Sequence, residues 1–88
     1  MPTISRFYGI DIFIRAREAN HKLPHFHASY GEFEISIAIE TLDVLSGALP
    51  NRAQDMVLTW AHLHRKELLK GWTELRAGRL PNEIAPLK

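Results

Sequence analysis

The sequence predicts an α+β domain, in which an antiparallel meander of four or five strands is followed by one or two C-terminal helices packed on one sheet face. Two spacings of the apolar side chains, one typical of strands and one typical of helices, support this fold class together with the length of the chain. Apolar and polar side chains alternate up to about Pro50, as in strands, and apolar side chains then recur every three or four residues, as in a helix. The 88 residues suffice for one small core, which excludes a second domain.

The first two strands are predicted at residues 3–9 and 10–17, where they could also form one long strand bent at Gly9. Isoleucines stand at every second position from Ile10 to Ile14. Since neighbouring side chains of a strand point to opposite sheet faces, these isoleucines are predicted to face the core.

A hairpin is predicted from residues 25–30 and 33–40, joined by a two-residue turn in which Gly31 takes a positive φ. A short strand at residues 43–47 completes the sheet. In this register three cross-strand pairs lie on the buried side: Phe26 with Ile37, Ala28 with Ile35, and Tyr30 with Phe33.

The two histidines of the hairpin then lie on the opposite sheet face, because His25 and His27 alternate with the buried residues. Their predicted cross-strand neighbours are Ala38 and Ser36. A two-layer domain covers only one face of its sheet with helices. We therefore expect the histidines to lie on an open, polar face.

The second half of the chain reads as an amphipathic helix from its N-cap Asn51 to Gly78. One straight helix of that length would measure about 40 Å, more than the width of so small a domain, so a break is expected at residues 64–66. Two prolines make residues 79–88 an extended tail. The predicted domain therefore spans residues 1–78.

Composition narrows the function only slightly. The hydrophobic and charged fractions, 45% and 24%, are ordinary for a globular protein, and the net charge of +1 predicts no partner. The chain has no cysteine, its first residues do not resemble a signal peptide, and no apolar run could span a membrane, so we expect a cytoplasmic protein. Residues 60–79 are mildly basic, which suits a phosphate backbone, an acidic protein or only a solvated helix face.

The candidate catalytic residues are His25 and His27. Imidazole exchanges protons near neutral pH, so a pair of histidines, or a histidine with Glu34, could cleave RNA without a metal ion. One group would deprotonate a 2′-hydroxyl and the other would protonate the leaving oxygen. Arg15 and Arg17, on the polar face of their strand, are candidate binding residues that would stabilise the phosphate in the transition state.

Tyr8 and Glu34 are further candidate binding residues; a tyrosine ring can stack on a base. Two other interpretations of the histidines stay open. With His21 or Glu34, the pair could bind zinc, nickel or iron, although Ala19 replaces the glycine of a cupin motif and we expect no cofactor. The histidines could also be structural, either satisfying a polar sheet face or lining a homodimer interface.

Four motifs in order resemble those of small bacterial proteins grouped as domain-of-unknown-function family 4160. They are "MPTISRFYGI", "PHFHASYGEFEISI", "LSGALP" and "VLTWAHLHRKELLKGW", and they cover about residues 1–78. The positions matching the family pattern are His25, Phe26, His27, Gly31, Trp60, His64 and Trp72.

The family resemblance implies that the protein has a protein partner, but it implies no catalytic reaction. Members of the family are often encoded beside a small protein of domain-of-unknown-function family 2442, in pairs that resemble toxin–antitoxin operons. It carries over no catalytic residue. We therefore expect a module of toxin–antitoxin type that forms a homodimer and binds the protein encoded by the adjacent gene and, as an extension, RNA. A histidine-based ribonuclease and a non-catalytic dimeric interaction domain are the alternatives.

Overall fold

The computed structural model describes residues 3–15 and 23–88. It contains a five-stranded antiparallel meander with the strands in sequence order, followed by two helices. The α+β prediction is therefore confirmed. The elements are β1 (Thr3–Phe7), β2 (Ile10–Phe13), β3 (His25–Tyr30), β4 (Phe33–Ala38), β5 (Val44–Ala48), α1 (Asn51–Leu63) and α2 (Arg65–Arg76).

The β3–β4 hairpin has the predicted register. Phe26, Ala28 and Tyr30 pair with Ile37, Ile35 and Phe33, and Gly31 has a φ of 60°. The two inner pairs are fully buried, whereas Tyr30 and Phe33 are largely exposed because they flank the turn at the hairpin end.

One core lies between the sheet and the helices. The isoleucines of β2 and the inner residues of the hairpin pack against Val57 and Trp60 of α1 and against Leu68 and Trp72 of α2. Trp60 is completely buried and contacts the rings of Phe7 and Phe26. The apolar stripe of the helices thus covers the apolar face of the sheet, as the strand and helix spacings of the apolar residues predict.

The helical region is interrupted at residue 64, within the predicted range of residues 64–66. His64 has a φ of −121° and separates α1 from α2. The predicted N-cap is wrong: Asn51 is already helical, and Pro50 occupies the cap position. Proline fixes φ near the value that a helix start needs, and the side chain of Gln54 accepts a hydrogen bond from the N–H of Leu49 at 3.2 Å.

Residues 79–88 contain no helix or strand. They nevertheless contact the core, because Ile84 is buried and its N–H donates to the carbonyl of Ile4 at 2.7 Å. Trp60 Nε1 donates to the carbonyl of Ala85 at 2.8 Å. The division into a domain and a tail stays a prediction. Within the described part of the chain, neither helix has the length and apolar content that crossing a membrane requires.

Candidate functional site

His25 and His27 lie on β3, on the sheet face opposite the Ile face, and pair with Ala38 and Ser36 as predicted. Their rings form part of an aromatic row. His27 stacks on Phe13 at 5.4 Å between ring centroids, His25 meets His27 at 5.2 Å, and Trp72 lies 5.0 Å from His25. The row connects the sheet face to α2.

This packing corrects the expectation of an open face at the histidines. His25 and His27 are only 6% and 5% exposed. Alternation along a strand decides the face on which a side chain lies, but it cannot show that flat rings on that face will stack and cover one another. Ser36 and Ala38, their neighbours on β4, are buried as well.

The hydrogen bond made by His25 assigns its tautomer. Nδ1 lies 3.0 Å from the backbone carbonyl of Leu23. Because a carbonyl oxygen only accepts hydrogen bonds, Nδ1 carries the proton, and the lone pair of neutral His25 is on Nε2.

Glu34 connects a cation to the second histidine. Nη2 of Arg15 donates to both carboxylate oxygens, at 3.0 and 2.8 Å, and Nδ1 of His27 lies 3.5 Å from Oε2. The guanidinium of Arg15 also lies 5.2 Å from the centre of the Phe13 ring. Arg15, His27 and Glu34, which the sequence analysis proposed as one group, are thus in contact.

These residues line a cavity of about 320 Å³. Its polar part consists of Arg15, Glu34, the two histidines, and Ser36 hydrogen-bonded to Ser46 at 2.7 Å between hydroxyl oxygens. Two leucines that are about half exposed form its apolar part: Leu23 at 46% and Leu45 at 44%. The lining of the site therefore combines a charged pair, Arg15 and Glu34, with two exposed leucines.

A β-bulge positions Leu45. Ser46 pairs with Ser36, but the next pair joins Ile37 to Val44, so Leu45 is the extra residue of β5. Leu45 and Ser46 consequently line the same cavity. The sequence analysis missed this role of Leu45, because strict alternation places neighbouring residues on opposite faces. An apolar residue two positions before a strand glycine, Gly47, is the available sequence signal.

The remaining candidates lie elsewhere. Tyr8 stands in the β1–β2 turn and lines a different cavity, so the structure does not bring it to the histidines. Arg17 and His21 lie outside the described residues. In residues 3–15 and 23–88, no three histidine, aspartate or glutamate side chains are grouped so that they could hold a metal ion.

The chain matches a known protein family. Residues 9–73 match the family described as Domain of unknown function (DUF4160). The chain belongs to this family. The matched segment of this DUF4160 protein begins after Tyr8 and includes both histidines, the bulged strand and most of α2. No curated protein and no solved structure matches the chain.

Proposed function

We propose that this DUF4160 protein is one member of a toxin–antitoxin-type module in the cytoplasm and acts by binding a small protein partner at the histidine cavity. The single observation that carries the proposal is the pair of exposed leucines, Leu23 and Leu45, that line the same cavity as the charged pair Arg15 and Glu34. Protein interfaces commonly combine a buried apolar anchor with polar groups that fix its orientation.

The chemistry of the cavity describes the partner segment. An apolar side chain of the partner would enter between Leu23 and Leu45, and a neighbouring polar group would hydrogen-bond to Arg15 or Glu34. The gene pairing implied by the family resemblance supplies the candidate partner, the small protein of domain-of-unknown-function family 2442. The proposal therefore has a specific surface and a specific molecule to test.

The partner is proposed to bind the face of the sheet rather than its edge. β5 is the last strand of the described sheet, and all five of its residues are exposed and uncharged. However, the bulge at Leu45 and the φ of 76° at Gly47 distort its backbone. Such irregularities hinder the addition of another strand, whereas here the bulge turns an apolar side chain toward the cavity.

Co-expression with the protein encoded by the adjacent gene tests the proposal. We expect the two proteins to co-purify, and Leu45→Asp to abolish co-purification because a carboxylate would be buried in an apolar contact. Leu80→Asp is the matched control, since Leu80 is 79% exposed and lies outside this cavity. Equal co-purification of the Leu45→Asp variant and the wild type would refute the proposed surface.

The same surface could instead bind a second copy of the chain. Light scattering of the protein alone tests this alternative. Under the proposal this surface is occupied by the partner, so any homodimer uses another surface and the Leu45→Asp substitution should not change the oligomeric state. A dimer that dissociates in the Leu45→Asp variant, but not in the Leu80→Asp variant, would assign the surface to homodimerisation instead.

A second candidate function is RNA cleavage by the two histidines. The specific observation that favours it is the contact of Glu34 with His27, together with the assignment of the His25 lone pair to Nε2. One histidine would accept the 2′-hydroxyl proton and the other would protonate the leaving 5′-oxygen, while Arg15 would face the phosphate.

Single His25→Gln and His27→Gln variants test this candidate, because glutamine keeps a polar side chain of similar length in each buried position. Loss of a proton-transfer group should slow cleavage of a single-stranded RNA by roughly 10²- to 10⁴-fold. Far-ultraviolet circular dichroism provides the control for folding. Folded variants that cleave RNA as the wild type does would exclude the histidines from catalysis.

A further inference from the structure

A second cavity lies at the other end of β3, and neither candidate function uses it. It measures about 620 Å³, which is within the usual range of small-ligand pockets. Its lining includes two aromatic rings and two cationic side chains: Tyr8, Tyr30, Arg52 and Lys88. It shares no lining residue with the histidine cavity.

The two tyrosines offer flat apolar surfaces to solvent. Tyr8 is 60% exposed and Tyr30 is 38% exposed, although both side chains have large apolar areas. The ring of Tyr30 lies against the backbone of the β1–β2 turn, since a Cβ added to Gly9 would be 3.4 Å from its Cε1 atom. The β1–β2 turn therefore packs against the ring of Tyr30 and carries the side chain of Tyr8.

The backbone of Tyr8 is strained. Tyr8 and Gly9 have φ values of 51° and 80°, as in the two-residue turns that favour asparagine followed by glycine. A bulky side chain is an outlier in this left-handed region, and such strain is concentrated at binding and catalytic positions. An exposed tyrosine at this position contributes a surface that asparagine would not provide.

The charge of this cavity favours an anion. Arg52 and Lys88 line it, and none of the described lining residues is acidic. Arg52 is exposed in the first turn of α1, a turn that contains no acidic residue. A ligand that combines a flat aromatic group with a negative charge matches both the tyrosine rings and the cationic side chains of the lining.

We infer that this cavity binds a nucleotide unit of single-stranded RNA, with the base against Tyr8 or Tyr30 and the phosphate beside Arg52. Stacking on aromatic rings within a cationic groove is the general mode by which proteins bind single strands. This inference goes beyond the proposed function, because it concerns a surface that neither the protein partner nor the histidine cavity uses. A loss of RNA binding and a loss of partner binding can therefore be told apart.

Fluorescence anisotropy with a labelled single-stranded RNA octamer tests the inference. Removing one stacking ring should weaken binding by roughly 5- to 150-fold. Tyr8→Asn removes the ring while suiting the left-handed turn, so the fold should be retained. Tyr8→Phe is the matched control and should bind as the wild type does, because it keeps the ring.

The charge contribution is tested by titrating salt. Arg52→Gln should weaken binding and reduce the slope of log affinity against log salt by about 0.7. Arg76→Gln, which removes an equal charge from the exposed last turn of α2, should change neither quantity. An equal effect of the two substitutions would place the phosphate contact on α2 and overturn the assignment to this cavity.

Competition by adenosine 5′-monophosphate separates a free nucleotide from an RNA chain as the source of the ligand. Displacement of the octamer by the monophosphate would support the same base-and-phosphate site and show that one unit suffices. Two results would overturn the inference: no binding of either probe, or a folded Tyr8→Asn variant that binds RNA as tightly as the wild type does.

Discussion

Replacing Gly47 of β5 with alanine should destabilise the protein more than the same substitution at any of the turn glycines, Gly9, Gly31 and Gly78. Gly47 has a φ of 76°, and a Cβ at this position would overlap the carbonyl oxygen of Glu34. The same Cβ would lie 3.1 Å from the carbonyl carbon of Glu34 and 3.2 Å from the Cα of Ile35. All three atoms belong to the backbone of β4, so no side chain can rotate away to make room.

The magnitude follows from two contributions. A left-handed conformation costs a residue with a side chain about 1–2 kcal/mol. Relieving the overlap requires β5 to move away from β4, and each ladder hydrogen bond that is lost costs about 1 kcal/mol. We therefore expect the free energy of unfolding to fall by about 3 kcal/mol, a large part of the roughly 4–13 kcal/mol typical of 88 residues.

Gly31→Ala is the matched control. Gly31 has a φ of 60°, but a Cβ at this position would meet no atom within 4 Å. It therefore carries only the conformational cost of about 1–2 kcal/mol. The difference between the two variants isolates the contact of β5 with the backbone of Glu34.

Urea unfolding followed by circular dichroism measures both variants. With a slope of about 1–3 kcal/mol/M, a loss of 3 kcal/mol lowers the midpoint by about 1–3 M. The slope should not change if both variants remain two-state. A Gly47→Ala variant that is as stable as Gly31→Ala would refute the reasoning, because it would show that β5 does not approach β4 as closely as described.

Three further predictions concern charge, the C-terminal segment and metal binding. Glu34→Gln should lower stability by no more than about 1 kcal/mol, since the Arg15–Glu34 pair is one-third to two-fifths exposed, and a larger loss in thermal unfolding would contradict this. Trp60→Phe removes the hydrogen bond to the Ala85 carbonyl, so we expect a loss of about 1–3 kcal/mol and faster amide exchange at Ile84; unchanged exchange would argue against a Trp60 anchor. An equimolar amount of zinc should not change the melting temperature, whereas a rise of several degrees would indicate a site.

The fold was predictable because its determinants are local. Alternation in β3 and β4 fixes both the faces and the register, since a slip of one residue would expose Phe26 and Ala28. The break at His64 followed from the length of a helix relative to the width of a small domain. The cap was less predictable, because Pro50 and Asn51 are both acceptable at a helix start and only the backbone angles distinguish their positions.

The candidate site was predictable in part of its membership but not in exposure, because Tyr8 lies in another cavity and Leu45 was not predicted. The sequence grouped Arg15, Glu34 and His27, and these side chains are in contact. The ring of Trp72, which contacts His25, lies more than forty residues farther along the chain. The role of Leu45 depends on one bulge in β5. Neither long-range ring contacts nor bulges leave a periodic signal in a single sequence.

The burial of the histidines changes how the two candidate functions compare. A partner protein needs only the exposed leucines of the cavity lining, and Leu23 and Leu45 are accessible in the structure as it stands. RNA cleavage needs a phosphate and a 2′-hydroxyl to reach His25 and His27, which are almost completely buried. Cleavage therefore requires the cavity to open, whereas binding does not, and for this reason the protein-binding function is the better supported of the two.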